Sequence, residues 1–398
     1  MFKKMRISLL VLLFTTYSYS FGVKESDDLL TKLIRGNGYP LEVHEIETED
    51  GYLLNLYRIP HGRYPSQNRT ANRSPVLLNH GLGGSAENFV WIGSSRSIAL
   101  LLADDGYDVW MLCSRGTWHS TKHKTLKPDK DLAYWQFTWH EIGVYDTPAS
   151  IDYILQRTGE KNLHYVGHSQ GTTSMFAMAS DRPEYNDKIK VMVALAPSAL
   201  LHEIKHPIRL VIPIYEILRA LTNALLIYKI PPYISTSTFI AVFREFCRFT
   251  PNFICKYILF SVAGIEQEQF IEELSGIFTS AFPAGLSVHQ LYHYAQVVKS
   301  HEFGRYDWGE ALNLEKYGSK IPGRYQIEKA TFPVALYYGE KDLFISLKDI
   351  ESYKQVLPNI VQSYMVPYED WTDNDYIWAR DIKTLLNNDV LRVMGKFK

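Results

Sequence analysis

The residues best suited to chemistry lie in the segment Gly167-His168-Ser169-Gln170-Gly171. An apolar run typical of a strand, 163–166, precedes the segment, and a small-residue stretch typical of a helix opens at Thr172. Gly-x-Ser-x-Gly between a strand and a helix predicts a nucleophile elbow, a sharp turn that exposes the serine hydroxyl above the sheet edge. We therefore predict Ser169 as a nucleophile, and we expect His168 to pack and orient the turn rather than to act as a base.

A second glycine-bearing turn, His80-Gly81-Leu82-Gly83-Gly84, follows the strand-like run that ends at Asn79. In hydrolases with a nucleophile elbow, such a loop donates one backbone N–H to the oxyanion of the acyl-transfer intermediate. The residue after the nucleophile donates the other backbone N–H. The two predicted donors are the amides of Leu82 and Gln170. The alternative is a plain strand-to-helix turn without a catalytic role.

A serine triad on this fold continues with an acid and then a histidine in chain order. Asp342 follows another strand-like run in the segment Tyr338-Gly339-Glu340-Lys341-Asp342, and we predict it as the acid, the alternative being a solvated turn carboxylate. No histidine follows it, because the last of the thirteen is His301. The base that should complete the triad is therefore missing from its position.

Strand-like and helix-like segments alternate along most of the chain. An antiparallel hairpin around Asp50-Gly51 comes first, and the later strands are continuous apolar runs, as expected for parallel strands buried on both faces. This pattern predicts an α/β architecture, a mostly parallel doubly wound sheet with an N-terminal hairpin. Strands are predicted at 42–47, 52–59, 75–79, 107–112, 163–166, 191–196, 332–338 and 362–366, and helices at 88–104, 141–157 and 172–180.

The alternation stops between about 198 and 330, where the sequence is helical in character and rich in apolar residues. We interpret this stretch as a helical cap or lid whose apolar face meets lipid, inserted between two core parts, 21–197 and 331–398. An ordinary buried helical subdomain is the alternative, and a cap can be both.

The N-terminus predicts a targeting segment. Lys3, Lys4 and Arg6 precede a short apolar run, and small residues allow cleavage after Ser20, so residues 1–20 are predicted as a signal peptide. A membrane anchor is the alternative, but the run is shorter than the roughly 20 residues that span a bilayer. We therefore expect no transmembrane segment and a secreted or lysosomal protein, glycosylated at the sequons of Asn68 and Asn72.

Composition excludes other classes of protein. The 42 basic and 43 acidic residues give a net charge of −1, which argues against a partner nucleic acid. Three cysteines are too few for a disulfide-stapled miniprotein or a cysteine-rich zinc site.

The chain resembles the acid lipase family, the gastric and lysosomal lipases and their insect relatives, over nearly the whole predicted mature length. The resemblance implies an α/β-hydrolase core, a helical cap, and hydrolysis of triacylglycerols or cholesteryl esters without cofactor or metal. It also implies a disulfide between Cys247 and Cys255, for which two unpaired thiols are the alternative. The segments that carry it are Gly106–Trp110, Ser114–Gly116, Tyr145–Ala149, Ile151–Tyr153, His164–Thr172, Ala194–Pro197, Pro283–Gly285, Tyr306–Trp308 and Gly339–Leu343.

The chain departs from the family pattern near its C-terminus. The family reads Asn-His-x-Asp, an aromatic residue, any residue and Trp, whereas this chain reads Thr372-Asp373-Asn374-Asp375-Tyr376-Ile377-Trp378. Asp373 thus occupies the position of the base. Loss of the base from such triads costs about 10⁴–10⁶ in rate.

The sequence therefore predicts a lipid-ester hydrolase with strongly impaired turnover, which acts at a lipid–water interface. An inactive lipid-binding or fatty-acyl-binding pseudolipase is the alternative. Two further explanations stay open: His80 or His168 replaces the base, or a one-base codon difference has turned a histidine into Asp373.

Overall fold

The structure is a computed structural model, and it describes residues 26–64, 73–210, 212–230, 264 and 266–398. Several predictions fall outside the described residues: the signal peptide 1–20, the sequons of Asn68 and Asn72, and the disulfide of Cys247 with Cys255. These remain predictions.

A nine-stranded sheet forms the centre of the fold. Its strand order is β1 (42–47), β2 (52–59), β4 (108–113), β3 (75–79), β6 (163–168), β7 (189–195), β10 (334–338) and β11 (360–365), with β5 (122–123) paired to β2. The six strands from β4 to β11 along this path run parallel. β1 and β2 form the antiparallel hairpin, and β2 also pairs antiparallel with β4. The predicted fold class, a mostly parallel sheet with an N-terminal hairpin, is confirmed.

The described part of the chain holds eleven strands: the eight predicted ones begin and end within two residues of their predicted positions, and three two-residue strands, 122–123, 229–230 and 286–287, were not predicted. The eleven strands are β1 Glu42–Glu47, β2 Tyr52–Ile59, β3 Pro75–Asn79, β4 Asp108–Cys113, β5 Lys122–His123, β6 Leu163–His168, β7 Ile189–Leu195, β8 Lys229–Ile230, β9 Leu286–Ser287, β10 Val334–Tyr338 and β11 Ile360–Met365. β8 and β9 pair with each other outside the main sheet.

Helices flank the sheet. They are α1 Ser26–Arg35, α2 Ile98–Asp104, α3 Trp139–Glu141, α4 Thr147–Thr158, α5 Gln170–Asp181, α6 Tyr215–Ala224, α7 Ser275–Ala281, α8 Val288–Ser300, α9 Glu310–Tyr317, α10 Leu347–Val356, α11 Asp375–Trp378 and α12 Asn388–Met394. Short 3₁₀ turns join several of them.

Two predicted helices are wrong in detail. The helix predicted at 88–104 is a 3₁₀ turn, Ala86–Phe89, followed by turns and then by α2, and Gly93 adopts a left-handed φ of 82° between them. The helix predicted at 141–157 contains a π-helical turn, Ile142–Asp146, which is followed by α4 with Pro148 as its second residue. Proline lacks the N–H that an α-helical ladder needs, so the register changes where the ring enters.

The core lies on both faces of the sheet. Strands β3, β4 and β10 are buried along their whole length, and helix α5 is buried from Gln170 to Ser180. In the part of the chain that the structure describes, no helix is long and apolar enough to cross a membrane.

Candidate active site

Ser169 lies at the turn between β6 and α5, with φ 48° and ψ −115°. A positive φ is costly for a residue with a side chain and marks a position that the surrounding structure imposes. Two close approaches explain the flanking glycines: a Cβ at Gly167 would lie 2.9 Å from the Thr172 nitrogen, and a Cβ at Gly171 would collide with the Asn79 carbonyl oxygen. The elbow therefore has the strained geometry that the sequence predicts.

The His80–Gly84 loop packs directly on this elbow. A Cβ at Gly81 would lie 3.0 Å from His168 Nδ1 and 3.2 Å from Ser169 Cβ. The Gly84 amide donates to the Gly81 carbonyl at 3.0 Å, which closes a turn with Leu82 at its second position. The predicted donor loop thus approaches the serine so closely that a side chain at Gly81 would crowd it.

Gln170 begins helix α5, where the first backbone N–H groups have no acceptor within the helix. Its side chain is fixed, because Gln290 Nε2 donates to Gln170 Oε1 at 3.1 Å. The Ala284 amide donates to the Gly83 carbonyl at 2.7 Å and holds the opposite loop. The sequence did not predict that Ala284 and Gln290 hold these two groups in place, although Ala284 lies in one of the resembling segments.

Asp342 is buried at the carboxyl end of β10, with 1% of its surface exposed. Its Oδ1 accepts hydrogen bonds from the amides of Phe344 at 2.8 Å and Ile345 at 3.1 Å. Its Oδ2 is buried without a hydrogen-bond partner among the described residues. Burial, and then the charge of Asp373, raise the pKa of Asp342 to about 8.

Asp373 lies against the elbow on the other side. His168 Nε2 donates to the Asp373 carbonyl oxygen at 2.7 Å and lies 3.7 Å from Asp373 Oδ1. That Oδ1 is buried and has no hydrogen-bond partner in the described part of the chain. The structure therefore brings together Asp342, Asp373 and the residue that precedes Ser169.

Asp375 holds the Asp373 loop in place. Its Oδ2 accepts from the Thr372 amide at 2.9 Å and its Oδ1 from the Glu266 amide at 3.1 Å. Thr372 Oγ1 in turn accepts from the Leu343 amide at 3.4 Å, which ties this loop to the one that carries Asp342.

All thirteen histidines lie within the described residues, and none of them hydrogen-bonds Ser169 Oγ. Both ring nitrogens of His80 already have hydrogen-bond partners other than Ser169. Its Nδ1 donates to the Gly81 carbonyl at 2.8 Å, and its Nε2 accepts from the Ser114 amide at 3.1 Å. Burial lowers the pKa of His80 to about 4, so the ring is neutral. His168 keeps one buried ring nitrogen, Nδ1, without a partner among the described residues.

Two buried polar clusters near the site were missed as such by the sequence analysis. Arg115, 1% exposed, forms ion pairs with the buried Asp146 and with Asp50. The sequence drew attention to Asp50 only as part of the hairpin turn and to Asp146 only as part of a resembling segment. His119 contacts Glu87 at 2.8 Å, and both side chains are buried. Across the described ranges, no group of three or more His, Cys, Asp or Glu side chains is arranged to hold a metal ion.

Comparison with known proteins gives the family. Residues 30–93 match the family described as the partial alpha/beta-hydrolase lipase region, and residues 74–216 match the alpha/beta hydrolase fold. Lipase 1 of Drosophila melanogaster is 38% identical over 378 residues, which cover 94% of this chain and 81% of that protein. Lipase 3 of the same organism is 37% identical over 368 residues, which cover 92% of each chain.

A vertebrate relative agrees with the insect ones. The gastric triacylglycerol lipase of Homo sapiens is 36% identical over 372 residues, 93% of this chain and 91% of that protein. Identity at this level over almost the whole length, together with the sheet and the elbow, shows that the chain belongs to the acid lipase family of α/β hydrolases.

Proposed function

We propose that this protein binds lipid esters, triacylglycerols or cholesteryl esters, above the Ser169 elbow and hydrolyses them through Ser169 with strongly reduced turnover. In this proposal Ser169 Oγ is the nucleophile, and the amides of Leu82 and Gln170 stabilise the oxyanion of the tetrahedral intermediate. Membership of the lipase family and the close approach of the His80–Gly84 loop to the elbow support these roles.

One observation carries the reduced turnover. Asp373 lies against the elbow where the family pattern has histidine, and Ser169 Oγ has no hydrogen bond to an imidazole. A neutral imidazole takes the serine proton and returns it to the leaving alcohol. A carboxylate at the same backbone position is shorter and has a lower proton affinity, so the proton transfer is slower.

The test is ester hydrolysis at pH 7 by the purified full chain and its Ser169→Ala and Asp373→His variants. The substrates are 4-methylumbelliferyl butyrate and emulsified triolein. We expect slow turnover by the wild type, none by Ser169→Ala, and a gain of about 10²–10⁴-fold in Asp373→His. A wild-type rate at pH 7 equal to that of Asp373→His would contradict the proposal.

The same substitution supports a second candidate function, an inactive lipid-binding protein. In that case wild type and Ser169→Ala release no product, yet both bind a fluorescent fatty acid with the same affinity. Serine-dependent product release by the wild type rules this candidate out.

Action at a lipid–water interface is supported by an apolar face on helix α6 and the residues around it. Ile217 is 68% and Leu221 52% exposed, and Leu210, Leu225 and Leu226 are also exposed. We propose that this face, part of a cap at 198–330 between core parts 21–197 and 331–398, contacts the lipid surface. The double variant Ile217→Glu/Leu221→Glu should slow hydrolysis of triolein while hydrolysis of the soluble ester persists.

The route through the cell is part of the proposal. Residues 1–20 direct the chain to secretion or to the lysosome, with glycans on Asn68 and Asn72 and a disulfide between Cys247 and Cys255. Expression in eukaryotic cells tests all three features: an N-terminus at Phe21, a mass shift on glycosidase treatment, and a cross-linked peptide pair in the unreduced digest.

A further inference from the structure

Two buried carboxylate oxygens at the candidate site lack partners. Asp342 Oδ2 and Asp373 Oδ1 are both buried without a hydrogen-bond partner among the residues described, while Asp342 Oδ1 already accepts two amides. A buried acceptor without a donor is costly, and two neighbouring carboxylates cannot both ionise cheaply. One proton held by the pair removes both costs, because the protonated carboxyl becomes a donor to its neighbour.

We propose that Asp373 is the general base for Ser169 and that Asp342, in its protonated form, is the hydrogen-bonding partner of Asp373. The chain would then hydrolyse esters with a Ser169–Asp373–Asp342 relay in which no imidazole takes part. This inference rests on the proposed function, since it names the group that carries the residual turnover.

The position of Asp373 supports this role. The Nε2–H of His168, the residue directly before the nucleophile, donates to the Asp373 carbonyl at 2.7 Å, which holds the residue against the elbow. The Asp373 side chain is 13% exposed, so one water can enter beside it. General-base transfer needs the base within hydrogen-bond reach of the proton, directly or through one such water.

Asp342 is the residue that holds the proton in this relay. Asp342 is the more buried of the two, at 1% exposure, and burial raises its pKa to about 8, with the charge of Asp373 adding to the effect. In the proposed relay the proton stays on Asp342, which leaves the carboxylate of Asp373 to accept the proton of Ser169.

The reaction balances without a further reactant. The Ser169 Oγ–H bond breaks, its proton passes to the Asp373 carboxylate, and Oγ bonds to the ester carbonyl carbon. The resulting oxyanion lies at the amides of Leu82 and Gln170. Collapse breaks the bond to the alcohol oxygen, which takes the proton from Asp373, and water then repeats the sequence on the acyl-enzyme, while Asp342 keeps its proton throughout.

The relay predicts activity on the acid side of neutrality. A carboxylate base works at lower pH than an imidazole base, and burial raises the pKa of its partner Asp342 to about 8. An imidazole base is free to accept a proton only above about pH 6.5.

The titratable groups around the pair belong to five elements. They are His168 before the elbow, Tyr294 on α8, Asp349 on α10, Asp375 and Tyr376 on α11, and Glu266 beside Asp375.

The experiment measures kcat/KM of the full chain for 4-methylumbelliferyl butyrate from pH 3.5 to 9, in stopped assays. We expect a serine-dependent maximum below pH 7. Asp373→Asn, which keeps the size and removes the base, should lower that maximum about 10²–10⁴-fold. Asp373→His should move the rising limb to about pH 6.5. The exposed Asp187→Asn, with intact folding by circular dichroism, serves as the control and should leave the profile unchanged.

Asp342→Asn distinguishes this relay from an ordinary triad. The asparagine amide donates to Asp373 as the protonated carboxyl does and cannot lose a proton, so the alkaline limb near pH 8 should disappear while the acid maximum falls less than about tenfold. In a triad whose acid must be ionised, the same change costs about 10⁴-fold.

Two results would overturn the inference. In the first, Asp373→Asn keeps the wild-type serine-dependent rate. If His168→Gln abolishes that rate at the same time, His168 is the base. The wild type could also show no serine-dependent turnover at any pH. In that last case fatty-acid binding, measured separately, still decides between the two proposed functions.

Discussion

The carboxyl pair predicts an unusual pH dependence of stability, which Asp342→Asn isolates. In the folded chain the pKa of Asp342 is raised from 3.8 to about 8, chiefly by burial. In the unfolded chain the same group loses its proton near pH 4. Between these values the native state binds more protons than the unfolded state, so the free energy of unfolding falls as pH rises.

The size of the effect follows from the shift. A difference of about four pKa units, at 1.36 kcal/mol each, sets an upper limit of about 5 kcal/mol lost between pH 4 and pH 8. Asparagine cannot ionise, and its Oδ1 can still accept from the Phe344 and Ile345 amides. The free energy of unfolding of the variant should therefore match that of the wild type near pH 4 and exceed it by a growing amount up to pH 8.

The assay is urea unfolding followed by tryptophan fluorescence at unit steps from pH 4 to pH 9, with free energies from linear extrapolation. The informative quantity is the difference between variant and wild type, because other titrating groups cancel in it. Asp187→Asn, an exposed carboxylate, should give a flat difference. Parallel curves for Asp342→Asn and wild type would refute the assignment of a shared proton to this pair.

Three further predictions concern the elbow and the buried ion pair. Ser169→Gly should raise the free energy of unfolding by about 1 kcal/mol, because glycine adopts the positive φ without strain; the urea midpoint measures it. Gly171→Ala should lower it by about 3 kcal/mol or more, because the new Cβ meets the Asn79 carbonyl, and soluble yield and midpoint report the loss. Arg115→Met should cost about 3–5 kcal/mol at pH 8, because Asp146 is left buried without its partner. That cost should shrink at pH 5 in thermal unfolding, because burial already raises the pKa of Asp146 to about 6 and the carboxyl takes up a proton.

The sequence predicts most of the sheet because its strands carry a strong local signal. The apolar runs around β3, β6 and β10 and the glycines at 167 and 171 specify a parallel core and a tight turn by short-range chemistry alone. The helix predicted at 88–104 fails for a local reason too, since Gly93 takes a left-handed conformation that a helical pattern does not reveal.

The partners of the candidate site could not be predicted in the same way. The hydrogen bond from His168 to the Asp373 carbonyl joins residues 205 positions apart, and it depends on how two loops meet at the sheet edge. Which carboxylate oxygen lacks a donor depends on the same packing. The sequence identifies Asp342 as the acid of the triad and Asp373 as the residue at the position of its base, but only the fold shows that each has a buried oxygen without a partner among the described residues.

The backbone around residue 373 is held by groups other than the side chain of that residue. Asp375 accepts from the Thr372 and Glu266 amides, and His168 donates to the main-chain oxygen of Asp373 rather than to its carboxylate. Because none of these bonds uses the Asp373 side chain, exchange of histidine for aspartate changes the proton chemistry of the site without removing a bond that shapes the loop. Asp373→His should therefore fold with the same loop and differ in its pH–rate profile, so a change in rate can be assigned to the base itself.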